Sequence, residues 1–281
     1  MQKITFSTDS TADMGEELYK KYGFEVTRCG IIIGENTYTD GLDITQDDIY
    51  NAVENLKIMP STAAINEADY VRVFKKSDES GTQHIHMALS DEFSASYANA
   101  VRAAKDFPNV HIFNTRTFTT GMALLCIMAR ELADEGKSVD EILKVLENTK
   151  HKVHPSFVLE GLKYLHRGGR CSGLKMIGAN ILGFHPQIIQ SPEGKMVQGK
   201  IFRGKFPIVV QKYTDYTLET YPNACKDLVF ITHSDVPKEI IDKVESDLKN
   251  AGFKKIYRTM TGCTVTAHCG RGTLGIILRE K

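Results

Sequence analysis

His84-Ile-His-Met-Ala-Leu-Ser-Asp-Glu-Phe-Ser-Ala-Ser-Tyr97 passes from an apolar strand signal directly into a polar turn. An alanine-rich helical stretch then runs to about Phe107, and Val110 to Phe113 returns to strand. Strands separated by helices in this order predict a parallel α/β sheet. The same rhythm extends on both sides. Upstream, Lys3 to Ser7 reads as a strand, Asp9-Ser10-Thr11 as a turn, and Met14, Leu18 and Tyr22 as the apolar face of a helix. Phe24 to Gly34 reads as one β-branched strand, and Ile44 to Leu56 as a helix opened by Thr45 and two acids. Downstream, Asn114-Thr115 precedes a long helix from about Thr119 to Glu135, closed by Gly136. Ser138 and Glu141 have capping-box spacing, and Ile142, Leu143 and Leu146 form the apolar face of the helix they start.

Beyond that helix the rhythm changes. Short strands are predicted at Phe157 to Leu159, Gln187 to Ile189, Lys195 to Ile201, Leu228 to Thr232, Lys255 to Thr259 and Gly275 to Leu278. Helices interrupt them near Gly204 to Tyr221 and Lys238 to Ala251. The fold class is therefore an N-terminal three-layer α/β/α domain with a parallel sheet, residues 1–152, followed by a C-terminal α+β domain with a mixed sheet, residues 153–281.

Lys+Arg and Asp+Glu both number 35, so the net charge is zero and no global basic field invites nucleic acid. The N-terminus lacks the apolar h-region of a signal peptide, no window approaches a membrane span, and the expected location is the cytoplasm. Six scattered cysteines have neither paired nor metal-ligand spacing and read as reduced thiols. His84-x-His86 would place two imidazoles on one face of a strand, without evident further ligands, so no metal is expected.

Four polar clusters are candidates for an anion site at strand ends: Asp9-Ser10-Thr11, Ser61-Thr62, Ser90 to Ser96, and Asn114-Thr115. Each is also an ordinary helix cap in the making. A fifth candidate, His268, stands between the β-branched run Thr264-Val-Thr266 and the glycine-rich turn Gly270-Arg-Gly272. Arg167-Gly-Gly-Arg170 offers two guanidinium forks on flexible backbone, and Arg203 is either a surface charge or a ligand clamp.

Taken in order, Asp9-Ser-Thr-Ala-Asp13, Asp40-Gly-Leu-Asp-Ile-Thr45, Pro60-Ser-Thr62, Ser94-Ala-Ser-Tyr97, Leu162 to Ser172 and His268-Cys-Gly-Arg-Gly272 are similar to six motifs of the DegV family of bacterial fatty-acid-binding proteins. The resemblance covers almost the whole chain. It implies a DegV-like fold in which one long-chain fatty acid lies between the two domains. Carried over by motif, Thr62 and Ser94 would hydrogen-bond the carboxylate, and His268 and Arg203 would complete the cage. It further implies a non-enzymatic carrier in phospholipid metabolism that presents the acid to a separate fatty acid kinase subunit for acyl-phosphate formation. Arg167 and Arg170 would dock that partner or build the pocket. No cofactor beyond the lipid is implied. Ala63 and Ala64 replace a polar pair of the family pattern, Ala95 a glycine and Arg271 a proline.

The competing reading is a serine hydrolase or acyltransferase built from Ser94, His268 and an acid such as Asp9. A nucleophile elbow around Ser94 would require glycine where Glu92 and Ser96 stand. Neither a P-loop nor a glycine-rich kinase signature is present to bind ATP.

Overall fold

The computed structural model describes residues 3–169 and 183–281. Its first half runs β1 (Ile4–Asp9), α1 (Gly15–Tyr22), β2 (Phe24–Thr27), β3 (Gly30–Ile33), β4 (Asn36–Thr39), α2 (Gln46–Glu54), β5 (Ser61–Ala63), α3 (Glu67–Glu79), β6 (Gln83–Ala88), α4 (Ser96–Ala103), β7 (Val110–Asn114), α5 (Thr120–Asp134) and α6 (Val139–Thr149). The rest runs β8 (Val153–Leu159), α7 (Lys163–Gly168), β9 (Phe184–Gln190), β10 (Met196–Arg203), α8 (Phe206–Thr220), β11 (Leu228–Ser234), α9 (Lys238–Asn250), β12 (Lys255–Met260), α10 (Cys263–Cys269) and β13 (Thr273–Arg279).

Strands β2-β1-β6-β7 form a parallel sheet in that order. Alternation along β6 divides its side chains between two layers. Ile85 and Met87 join the core beneath α1 and α5. His84 and His86 point the other way, against Phe74 of α3. The imidazoles are held there by hydroxyls, with Ser7 Oγ 2.7 Å from His84 Nε2 and 2.8 Å from His86 Nδ1. Burial pushes His84 down to about 3, so it is neutral at ordinary pH. His86 Nε2 stands 3.2 Å from Asp9 Oδ1. Among the described residues no group of three or more His, Cys, Asp or Glu could hold a metal ion.

A mixed sheet in the order β10-β9-β8-β13-β11-β12 forms the second layer system, with only β11 and β12 parallel within it. Helices α8 and α9 bury one face of it through Val209, Val210, Val244 and Leu248. The other face meets α5, which also packs on β1 and β6 of the parallel sheet. Helix α5 is consequently apolar on every side from Gly121 to Ala129, as a helix between two sheets must be.

One assignment differs from the sequence reading. Phe24 to Gly34 is not one strand. The Cys29 N–H is taken by Ser10 Oγ at 3.2 Å and Arg28 reaches the Asp40 carbonyl at 3.0 Å. These contacts turn the chain out of the parallel sheet, and β3 pairs with β4 and β5 in a small antiparallel sheet instead. The β-branched run before His268 is helical, for a reason that belongs to the site.

Candidate functional site

A cavity of about 280 Å³ opens where the three sheets meet. Thr11, Leu89 and Ser94 reach it from beyond β1 and β6, and Phe118 and Thr119 from the entry to α5. Phe157, Met196 and Ile277 of the mixed sheet make an apolar wall, and Thr264, Val265 and His268 present one side of α10. Thr62 and Ser94 therefore face one space with His268, although 206 residues separate Thr62 from His268.

Of the four clusters, Asp9 to Thr11, Ser90 to Ser96 and Asn114-Thr115 follow strands of the parallel sheet. Ser61 and Thr62 do not. They lie on β5 of the small antiparallel sheet, with Thr62 opposite Ile31. That register brings Thr62 Oγ1 within 3.1 Å of His268 Nε2. Ser94 Oγ accepts the Ser96 N–H at 3.1 Å and meets Ser96 Oγ at 2.9 Å. Ser96 in turn accepts the Ile65 N–H at 3.2 Å, which ties the Ser94 turn to the end of β5.

Helix formation at α10 is supported by two buried carboxyl groups. Asp13 Oδ1 accepts the Gly262 N–H and Asp40 Oδ1 the Cys263 N–H, each at 2.8 Å. These are orphan donors of a helix N-terminus, and two side-chain acceptors that satisfy them favour helix over the strand propensity of Thr264-Val-Thr266. A Cβ at position 262 would crowd this pair, lying 3.1 Å from Asp13 Oδ1 and 3.3 Å from both Asp40 oxygens. The motif aspartates thus set the rotation of the helix that carries His268.

Burial, reinforced by the nearby Asp40 charge, pushes Asp13 up to about 8, against the opposing hydrogen bonds from Thr119 and Gly262. The folded state then holds a proton between about pH 4 and 8 that the unfolded state has released, so stability contributed here falls as pH rises through that window and is flat outside it. Tyr19, Cys263 and Cys269 also face this pair, and none of them ionises in the window. Asp13→Asn keeps an acceptor for Gly262 and cannot titrate. The difference in thermal midpoint between wild type and Asp13→Asn is expected to move in favour of the variant from pH 5 to pH 8. A constant difference would show that Asp13 is ionised throughout.

Arg203 does not join the other candidates. On the edge strand β10, Phe202 turns inward and Arg203 outward. Its guanidinium lies 4.8 Å from the Phe184 ring centre, and it is not among the described residues that line the cavity. Asp9 is committed elsewhere as well, accepting from Tyr70 Oη at 2.8 Å, Thr27 Oγ1 at 3.0 Å and the Leu89 N–H at 2.8 Å. Burial would raise its pKa, but His86 and these donors hold it below the usual carboxylate range. The backbone of Arg167 lies on α7, and Arg170 is outside the described residues.

The family departures have structural consequences. Ala63, Ala64 and Ala95 place methyl groups on the cavity wall. Arg271 lies 3.8 Å over the Tyr50 ring and binds Glu54 Oε1 at 2.9 Å and the Asp235 carboxylate, which ties α2 to the loop after β11. The five described cysteines are free and buried. Among the described residues no helix is long and apolar enough to cross a membrane.

Comparison with known proteins agrees with the ordered motifs. A DegV domain-containing protein of Caldanaerobacter subterraneus subsp. tengcongensis is 30% identical over 284 residues, covering 100% of each chain. Among solved structures, a DegV family protein from Thermus thermophilus, described by its fatty acid binding, superposes with TM-score 0.90 at 23% identity over 100% of each chain. DegV from Bacillus subtilis, described as a fatty acid binding protein, does so with TM-score 0.86 at 21% identity, again over 100% of each chain. The profile of the family described as "Uncharacterised protein, DegV family" matches residues 3–281. Six motifs, a parallel sheet joined to a mixed one, and a sequence profile that runs through both place this chain in the DegV family.

Proposed function

We propose that the chain binds one long-chain fatty acid, with its carboxylate at Thr62, Ser94 and His268 and its tail along the aromatic and aliphatic wall. The observation that carries this reading is the meeting of a Thr62–His268 hydrogen bond and the Ser94 hydroxyl on a cavity whose wall includes Leu89, Phe93, Phe118, Phe157 and Ile277. An ionised carboxylate is only buried where donors satisfy its oxygens, and two hydroxyls with an imidazole can do so. A sixteen-carbon tail would contribute on the order of 10 kcal/mol gross, at about 0.8 kcal/mol per CH₂, before ordering costs. The solved relatives from Thermus thermophilus and Bacillus subtilis are described as fatty acid binding, which supports the same ligand class. In this reading residues 1–152 and 153–281 act as two units that hold the acid between them.

The finer reading is a cytoplasmic, non-enzymatic carrier that presents the acid to a separate fatty acid kinase subunit for acyl-phosphate formation. Arg167 and Arg170 would serve that encounter or the mouth of the pocket. Loaded protein mixed with ATP and such a kinase subunit is expected to yield acyl phosphate, trapped as a hydroxamate, whereas the chain with ATP alone yields none. Acyl phosphate from the chain alone would overturn the carrier role. The hydrolase reading is disfavoured because Asp9 is held by Tyr70, Thr27 and Leu89, and it fails if ester cleavage by Ser94→Ala equals that of wild type.

A further inference from the structure

Thr264 stands one helical turn before His268 on α10 and lines the same cavity. It is only 7% exposed, yet its Oγ1 has no nitrogen or oxygen hydrogen-bond partner among the described residues. Such a group is uncommon, since leaving a buried hydroxyl unsatisfied costs about 1–3 kcal/mol. Threonines within helices ordinarily return the hydroxyl to the carbonyl four residues back. Thr214, Thr217 and Thr220 of α8 do this at 2.9, 2.8 and 2.7 Å. Thr264 cannot follow them, because the residue four back is Met260, which belongs to β12 rather than to α10. The Cys29 thiol lies beside it on the cavity wall, and a thiol is a weak partner that leaves the hydroxyl proton without an oxygen acceptor.

We propose that Thr264 is a third head-group donor, which gives its hydroxyl proton to one oxygen of the bound carboxylate while Thr62 and Ser94 donate to the other, with the His268 imidazole donating to Thr62 from behind. This rests on the fatty-acid reading above and extends it to a residue outside the resemblance. Four residues of helix rise about 6 Å, and two carboxylate oxygens that each accept at about 2.8 Å reach across a gap of that size. The arrangement selects an ionised acid over a neutral head group, because a primary alcohol has one oxygen and cannot satisfy both ends of the site.

The test compares wild type, Thr264→Val and Thr264→Ser in equilibrium dialysis against palmitic acid and against 1-hexadecanol. Valine preserves the shape and removes the donor, so affinity for the acid is expected to fall about tenfold or more, the loss typical of one bond to a charged group. Serine should restore acid binding, and affinity for the alcohol should be little changed in either variant. Acid binding by Thr264→Val equal to wild type would overturn the assignment. An equal loss of acid and alcohol that serine does not restore would also overturn it, by showing that the substitution reshapes the cavity. A wild-type protein that takes up neither lipid would overturn the fatty-acid reading itself, and this assignment with it.

Discussion

Thr62→Val combined with Ser94→Ala is expected to lower affinity for a long-chain fatty acid by roughly a hundredfold or more. Each hydroxyl donates to a buried carboxylate in the proposed complex, and a hydrogen bond to a charged group is worth roughly 1.5–3 kcal/mol. Two such losses correspond to about two decades or more in the dissociation constant. The fold should survive, because Thr62 bonds across the cavity to His268 and Ser94 is half-buried on a turn. Ser96 is a poor substitute for this test, since it is fully buried and holds the Ile65 N–H. Equilibrium dialysis on the double variant, with a thermal melt on the same preparation, separates the two effects. Wild-type affinity in the double variant would place the carboxylate elsewhere.

Gly270→Ala is expected to be strongly destabilising. Gly270 has φ +72° where α10 gives way to β13, and an added Cβ would be driven into the Tyr164 ring, within 2.6 Å of its Cγ. The left-handed backbone costs an alanine about 1 kcal/mol and overpacking typically 1–3 kcal/mol more. For a chain of this size that predicts a fall in thermal midpoint on the order of 3–7 °C, with loss of bound lipid as His268 shifts. Gly252→Ala supplies the control. Its φ is +90° but nothing lies within 4 Å of the added Cβ, so only the backbone cost applies. Equal shifts in the two variants would show that Tyr164 moves aside freely.

The parallel sheet is legible because strand, turn and helix signals alternate without interruption from β6 to α5, and caps such as Ser138 with Glu141 are wholly local. Helix α3 is legible too, with Asn66 as its cap and Tyr70, Val73, Phe74 and Ser77 on its buried face, although the sequence reading leaves it unassigned. The break at Arg28-Cys29 and the helical state of Cys263–Cys269 are not legible. Both depend on partners distant in sequence, Ser10 in one case and the Asp13 and Asp40 carboxylates in the other. The site divides in the same way. Thr62, Ser94 and His268 stand in ordered motifs, whereas the outward turn of Arg203 follows from register on an edge strand. Thr264 draws notice only once its hydroxyl is known to lack an acceptor.

Native mass spectrometry of the protein purified from a bacterial host tests the central claim most directly. One bound acid of about fourteen to eighteen carbons per chain, the tail length for which burial at about 0.8 kcal/mol per CH₂ gives ample gross affinity, is the expected result. Organic extraction should remove that mass and added palmitic acid should restore it. A protein that carries no lipid as purified, and takes up none when palmitic acid is added, would contradict the account.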